Sequence, residues 1–346
     1  MRLKLKNIEL KGYKSINNDG QTIPINDDIT VMIGANGVGK SNIVSFFQLL
    51  NHALSGSLQT YIGENGFADT FLYYGSKNTN SITARMLFSD GGNQSEYALR
   101  FVYTVGDSLL LTEENMTGYA ARDEQIALLR SCRYFQFHDT TKEAKIRKNS
   151  YLGDNKYLRS NAGNLAAFLY RIKMQDDGER YYNRIIRYIR QVMPQFGDFV
   201  MEPSVVNKDY ISLDWQERDS DYIFSVNQIS DGTLRFIALA TLLLQPPQTM
   251  PSIIVIDEPE LGLHPKAISI LAGLIKKASA KAQVILATQS PNLLDEFDAD
   301  NVVVIERDEQ RRTSIFKQLD SEQLKEWVEE YSTSELWNKN VIGGRP

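Results

Sequence analysis

Cysteine is almost absent from this chain: Cys132 is the only one in 346 residues, so no intrachain disulfide can form and nothing points to an oxidising compartment. Histidine is scarce as well. His52, His138 and His264 are scattered without ligand spacing, and no zinc site is expected. The longest apolar stretch, residues 236–244, falls far short of the roughly 20 residues that cross a bilayer. The opening MRLKLKNIELKGYKSI alternates charged and apolar residues and lacks the apolar core of a secretory signal. Sustained heptads, internal repeats and low-complexity tracts are missing too, which excludes a long coiled coil. There is no G-x-S-x-G nucleophile elbow and no Cys–His pair with local support. A soluble, cytoplasmic globular protein is the expectation.

What is present is an ordinary globular balance: 42% hydrophobic residues, 38 Lys and Arg against 43 Asp and Glu, and a formal charge of −5. That suits one large or two ordinary domains. The mild acidity hides an asymmetry. Residues 142–190 carry twelve bases, including Arg147, Lys148, Lys156, Arg159, Arg171, Lys173 and Arg190, against five acids, so this stretch is +7 and the remainder −12. Arg180, Arg184 and Arg187 are the candidate DNA contacts, because Lys and Arg neutralise backbone phosphates whatever the base sequence. Interleaved with Ile185, Ile186 and Ile189, they read equally well as the outer face of an amphipathic helix. The acidic stretch 295–335 reads as solvated surface.

Periodicity gives the organisation. LKLKNIEL alternates with period two, ITVMIG is an apolar run, and SITARMLF and YALRFVYTV look extended. From about Glu124 to Gln195 the pattern turns helical; after Val205 extended segments return, then a helix over 233–244, a buried strand IIVIDEP, a helix over 265–280 and a buried strand QVILATQS. Alternating buried strands and helices predict an α/β core with a mixed, mostly parallel sheet. Three parts are expected: residues 1–123 with an antiparallel β region, a basic helical lobe over 124–204, and 205–346 completing the α/β part.

The strongest local signal is GANGVGKS, residues 34–41, which fits G-x-x-x-x-G-K-[ST] and lies between an apolar strand and a helix-like run. Its glycines let backbone N–H groups turn toward phosphate oxygens, and the helix presents its positive end to the same anion. Gly34, Asn36, Gly37, Val38, Gly39, Lys40, Ser41 and Asn42 are the candidate nucleotide-binding residues, with Lys40 bridging the outer phosphates and Ser41 binding magnesium. The spacing is not that of a dinucleotide fingerprint. The apolar strand 253–258, IIVIDE, ends in two neighbouring carboxylates, which suits Asp257 for the magnesium shell and Glu258 for polarising the attacking water.

These motifs together resemble the ABC-type ATPases. Residues 34–41 match Walker A, IIVIDE matches Walker B, ISDGT (229–233) resembles the signature motif, PELGLH (259–264) the D-loop, and ILATQS puts Gln289 where the family's switch histidine stands. The resemblance implies ATP and magnesium as ligands and ATP hydrolysis as the reaction. It also implies a homo-oligomer in which Ser230, Asp231 and Gly232 of one copy face the phosphate loop of another. Gln289 is a departure: it can hydrogen-bond a phosphate or water but carries no proton charge at neutral pH, so turnover is expected to be slow or activator-dependent. Gln136 is the candidate loop glutamine at magnesium, with a plain strand residue as its alternative; His138 and Asp139 could instead approach the nucleotide. Lys14 is similar to the basic residue that approaches the nucleotide in chromosome-maintenance ATPases.

Within the superfamily, the long insertion between Lys40 and Ser230 is unlike a transport cassette, and KNIELKGYKSI resembles the opening of the RecF, SMC and OLD group. The stretch SELWNKNVIGGRP resembles bacterial "AAA family" ATPases linked to anti-phage defence; Arg345 within it is expected either in an exposed tail or at a neighbouring subunit. About fifty residues follow Asp298-Ala299-Asp300, too few for the Toprim nuclease domain of OLD-type enzymes, so Asp298 and Asp300 read as a surface turn. The expectation is an ATP-driven switch in anti-phage defence that controls a separately encoded effector, a nuclease in kind. Its rivals are a RecF-like repair ATPase and an ATP-held scaffold.

Overall fold

The computed structural model describes residues 2–120 and 122–345. It divides into two compact units. The first runs up to Tyr134 and adds Ser252–Asp257 and everything from Gln283 onward; the second comprises Phe135–Pro251 and Glu258–Ala282.

The first unit contains two sheets. Five antiparallel strands lie in the order Gln21–Pro24, Lys4–Lys11, Ser81–Ser89, Gln94–Thr104, Ser108–Gly118. Their alternating burial follows from the period-two pattern, as in Ser81–Ser89, where Ile82, Ala84, Met86 and Phe88 face the core. The second sheet has the order Thr313–Gln318, Val302–Asp308, Ile29–Ile33, Gln283–Ala287, Ile253–Asp257, Arg133–Phe135. Its four middle strands are parallel, and Thr313–Gln318 pairs antiparallel at the edge. ITVMI, IIVID and QVILA are buried at every position, as parallel strands covered on both faces must be. The helix Lys40–Leu54 contributes Ile43, Val44, Phe46, Phe47, Leu49 and Leu50 to one hydrophobic core shared by both sheets. Cys132 is buried in that core, which pushes its thiol up to about 12 and makes it a poor nucleophile.

The second unit is built on helices Leu165–Met174, Gly178–Val192, Asp231–Leu244 and Pro265–Ser279, with small sheets from short strands between 150 and 224. Asp231–Leu244 is buried almost all round from Leu234 to Leu244, which makes it the central helix of the unit. Gly178–Val192 buries Tyr181, Tyr182, Ile185, Ile186 and Ile189, as its spacing predicts. The helical reading of the whole 124–195 stretch needs correction. Between Ser131 and Asn164 the chain is irregular apart from short strands and the single 3-10 turn Lys145–Arg147. The reason is tertiary: buried side chains such as Arg147 and Asn164 bond loop backbone there in place of helical partners. Among the described residues no helix is long and apolar enough to cross a membrane.

Candidate functional site

In the first unit, three motif loops leave one edge of one sheet. Gly34 follows Ile29–Ile33, Thr288 and Gln289 follow Gln283–Ala287, and Asp257 ends Ile253–Asp257. The strands are parallel neighbours, with Asp257 opposite Ala287 and Ala287 opposite Met32, so all three loops emerge at their carboxyl ends. At about 4.8 Å per strand, Asp257 lies on the order of 10 Å across the sheet from Met32. The carboxyl edge of parallel strands is where ligands bind in such sheets.

The loop itself is held by contacts that its own sequence does not announce. Helix Lys40–Leu54 starts on Gly39, whose left-handed φ of 114° excludes other residues and which offers no side-chain cap. The helix therefore presents its first N–H groups without a capping side chain. Lys40 folds back so that its Nζ donates to the carbonyls of Gly34 at 2.6 Å and Ala35 at 2.9 Å. Val38 is buried, and its carbonyl accepts from Ser314 Oγ at 2.5 Å. Ser314 Oγ also lies 2.7 Å from the Ser15 hydroxyl, which accepts from Asn42 Nδ2 at 2.8 Å. A Cβ on Gly39 would meet both hydroxyls at 2.6 Å. Ser15 and Ser314 are thus loop supports that sequence reading missed; 299 residues separate them, and no local pattern links such partners. Asn36 and Gly37 form the exposed tip, with Gly37 at φ 81°, and Ser41 is exposed on the first helical turn.

Lys14 has a left-handed φ of 46°, and its Nζ donates at 2.8 Å to Oγ of Ser45, a residue of the same helix. Burial against the rings of Tyr13 and Phe71 lowers its pKa. Asp257 is buried; it lies near Tyr134, whose phenol is pushed up by burial first and by Asp257 second. Gln289 is exposed. The donor set fits the ligands expected of the motif: backbone N–H groups and an ammonium for phosphate, a hydroxyl and a carboxylate for a hard cation.

In the second unit the signature residues open the helix Asp231–Leu244. Ser230 caps it, accepting from Thr233 N at 3.2 Å. Gly232 is dictated by packing, since a Cβ there would lie 2.3 Å from the carbonyl oxygen of Gly262 in the D-loop. Two arginines fix this region. Arg235 donates to the carbonyls of Phe137, His138 and Leu261 at 3.0, 2.8 and 3.1 Å, joining the Gln136 loop to the D-loop. Arg147 is buried and donates to Thr140 O and Val226 O at 2.7 Å, to Ile229 O at 3.1 Å and to Asp231 Oδ1 at 2.7 Å.

Gln136 donates its backbone N–H to Ser160 O, and its Nε2 lies 2.9 Å from His138 Nδ1; the other ring nitrogen of His138 is 4.0 Å from Glu258. Glu258 has a φ of 44°, a strained value for a residue with a side chain and one that clusters at functional sites. Arg180 and Arg187 are exposed and Arg184 is half-buried; Arg180 and Arg184 stack on the Tyr181 ring. Not every base in the 142–190 stretch belongs to a phosphate surface. Arg147 is buried, Arg159 pairs with Asp154 and Lys173 with Asp198, and Arg190 donates to the carbonyls of Phe196 and Gly197.

Replacing Arg147 by Met should cost about 3 kcal/mol, because carbonyls at 140, 226 and 229 lose a buried donor. A thermal melt checks this, and an unchanged Tm would show that the arginine is dispensable. The Arg147 hydrogen bond also holds the Asp231 carboxyl below its usual range. A depressed carboxylate contributes stability at pH above the unfolded value, about 3.9, and loses it as pH falls through the lower folded value. The carboxylate is largely exposed, so solvent screening keeps this contribution small.

The fold is that of SMC head domains. An SMC head solved with the C-terminal winged-helix domain of ScpA superposes with a TM-score of 0.63 at 18% identity, covering 93% of this chain and 99% of that one. The Pyrococcus furiosus SMC head with an extended coiled coil, bound to the C-terminal domain of ScpA, gives 0.64 at 17% identity over 95% and 99%. The head from Thermotoga maritima gives 0.52 at 15% over 92% and 99%. Residues 29–295 match the AAA_21 family, described as "AAA domain, putative AbiEii toxin, Type IV TA system", and the chain belongs to that family. No curated protein matches it.

Proposed function

We propose that this chain is an ATP-binding and ATP-hydrolysing switch that closes as a homodimer or higher oligomer around ATP and acts in cytoplasmic anti-phage defence by controlling a separately encoded effector, a nuclease. The observation that carries the ATP reading is the convergence of the phosphate loop, Asp257 and Gln289 at the carboxyl edge of one parallel sheet. Lys40 and the loop N–H groups bind the outer phosphates. Ser41 and Asp257 hold magnesium, with Gln136 as a further ligand. Bound magnesium supplies positive charge to the phosphate oxygens. Glu258 takes the proton of the attacking water, and Gln289 orients water or phosphate by hydrogen bonding. Lys14 braces the helix that follows the loop.

In the closed dimer, Ser230, Asp231 and Gly232 of one copy face the nucleotide held by the other, and hydrolysis removes those contacts. A partner protein is in keeping with the ScpA-bound SMC heads, and the toxin–antitoxin description of the family supports a defence role. DNA is the proposed trigger, read by Arg180, Arg184 and Arg187.

The test is the steady-state ATPase rate with and without linear duplex DNA. Stimulation supports a DNA trigger, whereas indifference moves the trigger to a protein. Reversing the three arginines to Glu should weaken DNA binding and flatten its salt dependence, by a log–log slope of about 2–3 if each neutralises one phosphate. Unchanged binding would leave that helix as an ordinary amphipathic face.

A further inference from the structure

The structure contains a second support of the phosphate loop, in a segment that the motifs do not reach. The helix Thr333–Asn338 is capped by Ser332 and Glu335 and tied down by Asp295, which accepts from Ser334 N at 2.8 Å and Ser334 Oγ at 2.6 Å. It delivers Trp337, fully buried, whose Nε1 donates to Gly344 O at 2.5 Å. Gly344 N in turn donates to Glu306 Oε1 at 2.8 Å. The exposed-tail expectation is therefore corrected: Arg345 is exposed, but the residues before it are anchored at both ends of a short arch.

The anchored arch packs on the strand Val302–Asp308, beside the start of the phosphate loop. Gly344 has a left-handed φ of 64°, and a Cβ there would lie 2.5 Å from Val304 Cγ1, 3.4 Å from Ile305 O and 3.6 Å from Gly34 Cα. A Cβ on Gly34 would in turn lie 2.4 Å from Ile305 O. Gly344 is thus packed against the Val304 side chain and the Ile305 carbonyl, and Gly34 against that same carbonyl, which leaves little room for a displacement. Asp295, at the other anchor, closes the short helix Pro291–Leu294 that begins just after Gln289. One segment consequently braces both the first glycine of the phosphate loop and the chain that follows Gln289.

We propose that residues 332–345 form a latch that holds the phosphate loop in its nucleotide-binding shape, with Trp337, Gly344 and Glu306 as positioning residues. The proposal rests on the nucleotide-binding reading above. Because coupling between two sites is reciprocal, bound nucleotide must also tighten the latch.

The experiment measures ATP affinity and hydrogen exchange in the full chain. Gly344→Ala should weaken ATP binding at least tenfold, while Gly273→Ala, at a position where a Cβ meets nothing within 4 Å, should leave it unchanged. ATP with magnesium should slow exchange at the Gly344 amide and the Trp337 indole, a response that a merely structural role would not produce. If Gly344→Ala does not fold, Trp337→Phe, which keeps an aromatic ring and removes the N–H, decides the matter with an expected loss of threefold or more. Affinity within twofold of the parent, a loss that only tracks the unfolded fraction, or exchange indifferent to ATP overturns the latch. Lys40→Ala separates the two readings: if it abolishes binding while Gly344→Ala does not alter it, the latch fails alone, and if it leaves binding intact, the nucleotide reading fails first.

Discussion

Lys40→Ala should lower ATP affinity by at least about a hundredfold while the fold survives. The magnitude follows from two or more charge-assisted hydrogen bonds to phosphate, each worth roughly 1.5–3 kcal/mol, at 1.4 kcal/mol per factor of ten. The geometry supplies a rival that must be met. Lys40 Nζ donates to the carbonyls of Gly34 and Ala35, so the lysine could serve only as a staple of its own loop. The two roles part in their signatures. A staple lost should lower Tm and leave affinity nearly unchanged, since the loop is also held by Ser314 on Val38 and by the Ser15 hydroxyl. A phosphate ligand lost should do the reverse, and undiminished ATP affinity would overturn the phosphate-loop assignment. Isothermal titration beside a thermal melt distinguishes them in one pair of experiments.

The sheet was legible in the sequence where burial leaves a simple pattern. ITVMI, IIVID and QVILA read as buried strands because both faces are covered, and Ser81–Ser89 with Gln94–Thr104 read as alternating strands because one face is. The helix Gly178–Val192 was legible for the matching reason, one apolar stripe at helical spacing. The supports of the site were not. Ser314 and Ser15, Gly344 and Gly34, and Arg147 with Val226 and Ile229 are partners far apart in the chain, and side chain-to-backbone bonds impose no periodicity. A charge count includes Arg147 in the basic stretch 142–190 because it cannot see burial. A buried arginine with its donors on carbonyls is a structural device and leaves one accessible charge fewer in that stretch.

Glu258→Gln should keep ATP affinity near that of the parent and lower turnover by about 10²–10⁴, the usual worth of a general base. The substitution is close to isosteric. The amide can still approach His138, whose Nε2 lies 4.0 Å from the carboxylate, and the left-handed backbone at φ 44° is already adopted by a residue with a side chain. Stability should therefore change little, and the loss should be confined to proton transfer. With hydrolysis blocked and binding intact, ATP should accumulate a closed dimer, visible as an earlier-eluting species that ADP does not produce. Normal hydrolysis would refute the role of Glu258. The same variant separates a switch from a scaffold, because the two readings differ only in whether the closed state must end. If opening is needed to release or re-arm an effector, cells carrying Glu258→Gln should lose protection against phage or suffer constitutive toxicity. If ATP merely holds an assembly together, they should behave as the parent does. A variant that binds ATP, fails to hydrolyse it and still functions fully would place the activity of this head in its closed form, with turnover incidental.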